Sequence, residues 1–151
     1  MYSIKLNDNS DPVMFIGADV AHGGNSGGGG ESVAAVVGSR DLNFYFYCAR
    51  ISVQRNENRG KKSQEIILDM EKMCQPLVAK FIENTKQSPK RIIFFRDGVD
   101  YGQFEAVIEK EVSAIKNAAR SISNTDPKVT TILVQKRNHP RFYPCLLYTS
   151  R

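Results

Sequence analysis

The chain has 151 residues, of which 41% are hydrophobic and 25% are charged, ordinary values for a soluble globular domain. Its net charge of +5 is compatible with a polyanionic partner without requiring one. No run of apolar residues approaches the roughly 18 that a membrane helix needs, and residues 1–12 are polar, so we expect neither a membrane protein nor a signal peptide.

The first part of the chain predicts one strand and a glycine-rich loop. Residues 1–12 form a polar lead-in, and residues 13–20 form an apolar strand that reaches Asp19 near its end. Residues 22–30 are too rich in glycine for a helix or strand. No Gly-Lys-Ser/Thr motif and no helical pattern follow, so a flexible hairpin connection is favoured over a phosphate-binding loop.

Two further strands and a helix come next. Residues 32–39 are predicted to form the second strand, and residues 43–54, which are rich in aromatic and β-branched side chains, the third. The short connection between them predicts an antiparallel hairpin. Residues 63–86 are predicted to be helical, with Ser63 as the N-cap and a kink or break at Pro76. The apolar face of this helix comprises Ile66, Ile67, Met70, Met73, Cys74, Leu77, Val78 and Phe81.

The rest of the chain predicts a strand, a helix and a last strand. Residues 91–97 read as a fully buried strand that ends at Asp97. Residues 102–123 are predicted to be helical, and residues 129–134 to form the fifth strand, followed by the basic residues 135–141. The predicted apolar face of the second helix comprises Phe104, Val107, Ile108, Val112, Ile115, Ala119 and Ile122.

The order of these elements is βββαβαβ. We predict an α/β fold with a five-stranded mixed sheet, in which three antiparallel strands precede two crossovers. The simplest sheet has the first strand beside the fourth, and that topology is ribonuclease H-like.

Two strands therefore deliver an aspartate to one edge of the sheet, Asp19 from the first and Asp97 from the fourth. Adjacent carboxylates repel each other, and a divalent cation relieves the repulsion. Ligands that are all oxygen favour Mg²⁺ or Mn²⁺ over zinc. The alternative is that each aspartate is a turn residue or a helix cap with no metal.

Five stretches of the chain carry a family resemblance. They read FIGADVAH (15–22), SVAAVVGS (32–39), SQEII (63–67), IIFFRDGV (92–99) followed by Gly102-Gln103, and VQKRNH (134–139). In content and order they resemble the PIWI domain of eukaryotic Argonaute proteins, over roughly residues 5–143. We therefore expect residues 13–143 to be a partial PIWI domain, truncated at its C-terminal side, and residues 144–151 to be a truncation or cloning tail.

The resemblance implies a catalytic set of an aspartate, a glutamate, a second aspartate and a later histidine or aspartate. By motif, Asp19, Glu65 and Asp97 take the first three places, with Asp19 and Asp97 as metal ligands. The alternative for Glu65 is a first-turn glutamate that complements the helix dipole. The fourth residue cannot be placed in this chain. His22 is expected to be a loop residue or a neighbour of a metal ligand, rather than a ligand itself.

The basic stretch after the fifth strand is expected to bind RNA. The resemblance assigns Lys136 and Arg141 to the guide backbone, with Arg137 and His139 nearby, whereas the alternative is a solvated basic turn. The pair Lys61-Lys62 is expected to be solvated loop.

The resemblance implies an RNA-guided silencing protein whose partners are a small guide RNA, a target RNA and silencing proteins. Mg²⁺-dependent cutting of the target is the first hypothesis. A module that silences without cutting, and an unrelated ribonuclease H-like nuclease, are the alternatives. The chain has three cysteines without metal-like spacing, which predicts reduced thiols and a cytoplasmic protein, with the nucleus as a second location.

Overall fold

The computed structural model describes residues 11–22, 31–55, 66–99, 102 and 104–134. The elements are β1 (Val13–His22), β2 (Glu31–Ser39), β3 (Tyr47–Arg55), α1 (Met70–Thr85), β4 (Arg91–Asp97), α2 (Phe104–Ser123) and β5 (Lys128–Val134). This order confirms the predicted βββαβαβ arrangement. Most of the lead-in, the glycine-rich loop from residue 23 and everything after residue 134 lie outside the described residues.

The strands form one mixed sheet in the order β3-β2-β1-β4-β5. The first three strands pair antiparallel, whereas β4 runs parallel to both β1 and β5. The predicted adjacency of the first and fourth strands is confirmed. The central strand β1 therefore joins an antiparallel half of the sheet to a parallel half.

Both helices pack on the same face of the sheet, here called the helix face. Alternate residues of each strand point to one face, and Ile16 of β1, Val36 of β2 and Phe94 of β4 are buried in one apolar cluster with the two helices. Most of the helical part of this cluster comes from α1, through Met70, Met73, Cys74, Leu77, Val78 and Phe81. This core fixes which side chains of each strand point inward.

The other face of the sheet, here called the open face, is apolar but accessible across the described residues. Several of its large apolar side chains are 39–71% exposed, among them Val33, Val37, Ile51, Val53, Phe95, Ile132 and Val134. The prediction that β4 is a fully buried strand is thus wrong for the described part of the chain. Only its helix face is buried, because both helices lie on that side.

Helix α1 begins at Met70, and residues 66–69 are not helical, which corrects the prediction of a helix over them. The predicted N-cap Ser63 lies outside the described residues. The apolar spacing does continue upstream into Ile66 and Ile67, but side chains from other elements bind the backbone there, as described below. Pro76 lies inside α1 without breaking it, because the helix runs on to Thr85.

The predicted apolar face of α2 is confirmed at Val107 and Ile115, which are buried, but not at its edges. Ile108 and Ile122 are 43% and 42% exposed, whereas Glu111 is 1% exposed. Glu111 lies one turn from both Val107 and Ile115, which are buried, so helical spacing places it on the inner face. No helix within the described ranges is long and apolar enough to cross a membrane.

The third strand starts at Tyr47 rather than at residue 43, because Asp41 organises the preceding turn. Its carboxylate accepts hydrogen bonds from the backbone N–H groups of Asn43, Tyr45 and Phe46 at 2.9–3.2 Å. An aspartate that binds the backbone of the residues after it favours a turn over a strand.

Gly38 in β2 tests how closely α1 packs on the sheet. A Cβ at this position would lie 2.8 Å from Cε of Met14 and 3.2 Å from Cβ of Leu77. We expect Gly38→Ala to lower the free energy of unfolding by about 1–3 kcal/mol, measured by urea denaturation. Gly102→Ala is the matched control, because nothing lies within 4 Å of its Cβ position. Equal denaturation midpoints for the two variants would contradict the packing argument.

Cys74 gives a test of burial that depends on pH. Burial, with a contribution from the charge of Glu111, raises the pKa of the Cys74 thiol from 9.0 to about 12. We expect iodoacetamide at about pH 8 to alkylate the half-buried Cys48 but to leave Cys74 unmodified until the protein is unfolded.

The same pKa shift lowers the free energy of unfolding as the pH rises from 9 to about 12, because only the unfolded chain then releases this proton.

In the alkylation experiment, peptide mass spectrometry measures the labelling of each cysteine. Alkylation of the native Cys74 at the rate of Cys48 would contradict the assignment.

Candidate functional site

Asp19 and Asp97 lie on neighbouring strands at the same edge of the sheet. In the parallel pairing of β1 with β4, Ala18 is opposite Arg96, so each aspartate is one position further along. Both belong to the set of residues that alternates away from the helix face, and both therefore point to the open face. The structure thus brings together the two carboxylates that the sequence singles out.

Gly98 shapes the turn that follows Asp97. Its φ of +75° is a conformation that side-chain-bearing residues rarely adopt. A Cβ on Gly98 would lie 3.6 Å from Oδ1 of Asp19, which shows how closely β1 and the end of β4 approach. The Gly98 N–H donates to the carbonyl of Val134 at 3.3 Å, so β5 meets the same point.

The two aspartates share a pocket of about 330 Å³ on the open face. Its other lining residues are Gly17, Ala18, Ala35, Val37, Phe95, Arg96 and Val134. Gly17 stands between Val37 and Phe95 in the register of the sheet. Because it has no side chain, space is left beside the carboxylates.

The chemistry of the pocket suits a divalent cation. Oδ1 of Asp19 accepts a hydrogen bond from the N–H of Val20 at 2.9 Å, and Oδ1 of Asp97 is screened from solvent. Two anions against apolar walls repel each other more strongly than they would in water. One or two carboxylates, together with water and substrate phosphate oxygens, are the usual ligands of Mg²⁺. The residues present therefore fit such an ion.

The described residues add no third metal ligand to Asp19 and Asp97. Within the described part of the chain, no three His, Cys, Asp or Glu side chains come close enough to hold a metal. Glu65 lies outside the described residues. His22 is the last residue of β1 rather than part of a loop, and its Nδ1 lies 2.9 Å from Oγ of Ser32.

The predicted RNA contacts Lys136, Arg137, His139 and Arg141 also lie outside the described residues. The structure does place the end of β5: Val134 is opposite Asp97 and lines the carboxylate pocket. The last residue of β5 therefore lies beside the pocket, and the basic residues 135–141 follow it in the sequence.

Two buried charges next to this site were not singled out from the sequence. Arg96 and Glu111 form an ion pair, with 3.0 Å between Nε and Oε2, and their side chains are 1% and 0% exposed. Burial raises the pKa of the Glu111 carboxyl, and the charge of Arg96 opposes that shift. The signal was in the pattern, because Arg96 alternates with Ile92 and Phe94 on the helix face.

Comparison with known proteins agrees with the fold described above. A family model described as the Piwi domain matches residues 1–146. Among solved structures, Argonaute of Kluyveromyces polysporus with a guide RNA has a TM-score of 0.74 at 28% identity, covering 89% of this chain and 16% of that chain. The C-terminal lobe of a budding yeast Argonaute has the same score, identity and coverage of this chain, over 27% of its own length.

The MID-PIWI domains of N. crassa QDE-2 AGO have a TM-score of 0.61 at 21% identity, covering 82% of this chain and 35% of that chain. At that identity the likeness concerns the fold alone. The chain thus spans between about a sixth and about a third of the length of these structures.

Proposed function

Because this chain belongs to the Piwi domain family, we propose that it is part of an RNA-guided silencing protein that binds a guide–target duplex and cuts the target RNA. The observation that carries this proposal is the meeting of Asp19 and Asp97 in one pocket. The Kluyveromyces polysporus structure includes a guide RNA, which supports a guide as the ligand here. The proposal concerns the longer protein, since this chain spans only part of its relatives.

Asp19 and Asp97 would hold Mg²⁺ or Mn²⁺, with Glu65 joining them by its place in the family motif. When bound, such ions activate a water and stabilise the leaving oxygen in phosphodiester hydrolysis. The contribution of the chain itself is placement. The parallel pairing of β1 with β4 sets the two carboxylates side by side, and the turn at Gly98 leaves room for the Asp19 oxygen.

The walls of the pocket and the residues next to it in sequence also suit a phosphodiester substrate. Its walls are mostly apolar, which strengthens the electrostatic interactions made inside it. The basic residues Lys136, Arg137, His139 and Arg141 follow β5, whose last residue lines the pocket. Cations at that place would bind the phosphates of a duplex and hold its backbone near the carboxylates.

The first test removes one carboxylate from the full-length protein loaded with guide. We expect Asp97→Ala and Asp19→Ala each to lower the rate of target cutting in Mg²⁺ by at least ~100-fold and to leave guide binding intact. The control is Asp126→Ala, which removes a surface aspartate paired with Arg120. Cutting of labelled target RNA and guide binding are measured on the same samples.

Cutting by Asp97→Ala at the wild-type rate would refute the metal-site assignment. A wild-type protein that binds guide and target but does not cut would instead favour the silencing module without nuclease activity.

The second test concerns the basic residues after β5. We expect Lys136→Ala and Arg141→Ala each to weaken guide binding about equally for all guide sequences. Each should also reduce the slope of log affinity against log salt concentration by about 1, because each removes one phosphate contact. Filter binding at several KCl concentrations measures both effects. Lys62→Ala is the matched control, and slopes that change no more than in this control would refute the contact.

A further inference from the structure

The chain that enters α1 is held by buried side chains of two other elements. The carbonyl of Ile66 accepts a hydrogen bond from Nε2 of Gln54 at 3.2 Å, and the N–H of Leu68 donates to Oε1 of the same side chain at 3.1 Å. Between them, the N–H of Ile67 donates to Oε1 of Glu111 at 2.9 Å. Three consecutive residues are therefore fixed through their backbone.

The same Glu111 carboxylate reaches the end of β4. It accepts from Nε of Arg96 at 3.0 Å through Oε2 and at 3.4 Å through Oε1. The guanidinium of Arg96 also donates, through Nη1, to the backbone carbonyl of Asp97. A continuous run of hydrogen bonds thus connects the backbone of Ile67 with that of Asp97, through two side chains that are almost fully buried.

Stability alone gives little reason for a charged pair at this position. A buried ion pair generally stabilises a fold no more than apolar side chains of similar volume, because both ions lose their hydration. Apolar side chains here could fill the same space, but they could not accept a hydrogen bond from the N–H of Ile67. The distinctive effect of the pair is the position that it gives to this segment of backbone.

That position matters because of what precedes it in the sequence. Glu65 is followed directly by the fixed residues 66–68. We propose that Glu111 is a positioning residue, which sets where the segment after Glu65 lies relative to Asp97 and so supports cutting without touching the RNA. This inference rests on the proposed function, in which Glu65 and Asp97 act together.

Two double variants of the full-length protein test the role of the acceptor. Arg96→Met combined with Glu111→Leu removes both charges and leaves the N–H of Ile67 without its acceptor. Arg96→Met combined with Glu111→Gln also removes both charges but keeps an amide oxygen for that N–H. Both variants lose the contact from Arg96 to Asp97, so they differ only at the end of the residue 111 side chain.

We expect the Leu variant to melt as a folded protein, to bind guide and target as the wild type does, and to cut roughly 100-fold more slowly in single turnover. We expect the Gln variant to cut at least about tenfold faster than the Leu variant. Hydrogen exchange at the amide of Ile67 should be at least roughly tenfold faster in the Leu variant than in the Gln variant.

Equal cutting by the Leu and Gln variants would overturn the positioning role. A Leu variant that does not fold would overturn it as well, because the pair would then serve the domain as a whole. Hydrogen exchange separates this failure from that of the proposed function. A wild-type protein that does not cut refutes the proposed function and with it the catalytic part of the inference. Equal exchange at the Ile67 amide in the two variants refutes the hydrogen bond from Ile67 to residue 111, whatever the cutting rates.

Discussion

The parallel pairing of β1 with β4 is the constraint on which the site depends. Its register places Ala18 opposite Arg96, and a slip of one residue would turn Asp97 toward the helices. The buried side chains of Ile92 and Phe94 prevent such a slip, because it would bring them out of the core. The burial that stabilises the sheet is therefore also what sets the two carboxylates side by side.

The end of β4 carries two charges that the fold treats in opposite ways. Arg96 points to the helix face and is neutralised inside the protein by Glu111. Asp97 points to the open face, where its neighbour Asp19 has the same charge. Carboxylates that share a pocket repel each other, and in the function proposed above a divalent cation relieves that repulsion. The end of one strand thus contributes to a buried ion pair on one face and to the candidate metal site on the other.

The sequence was informative where long-range pairing follows from strong local patterns, and less so where single side chains intervene. The order of the elements and the apolar runs before Asp19 and Asp97 were enough to predict that the first and fourth strands are neighbours and that the two aspartates meet. The start of α1 was not predictable from its spacing, because Gln54 and Glu111 bind backbone groups that a helix would otherwise use. Both faces of β4 carry apolar residues, so the sequence did not show that one of them is exposed.

The position of β1 in the middle of the sheet has a consequence for synthesis. The meander of β1, β2 and β3 pairs residues that are close in sequence, whereas β4 pairs with β1 across an interval that contains β2, β3 and α1. Contacts between distant parts of a chain form more slowly, and a nascent chain emerges from its N-terminal end. We expect the meander to form first and to wait with one edge of β1 unpaired, a stage at which chaperones or a second nascent chain would find an open strand.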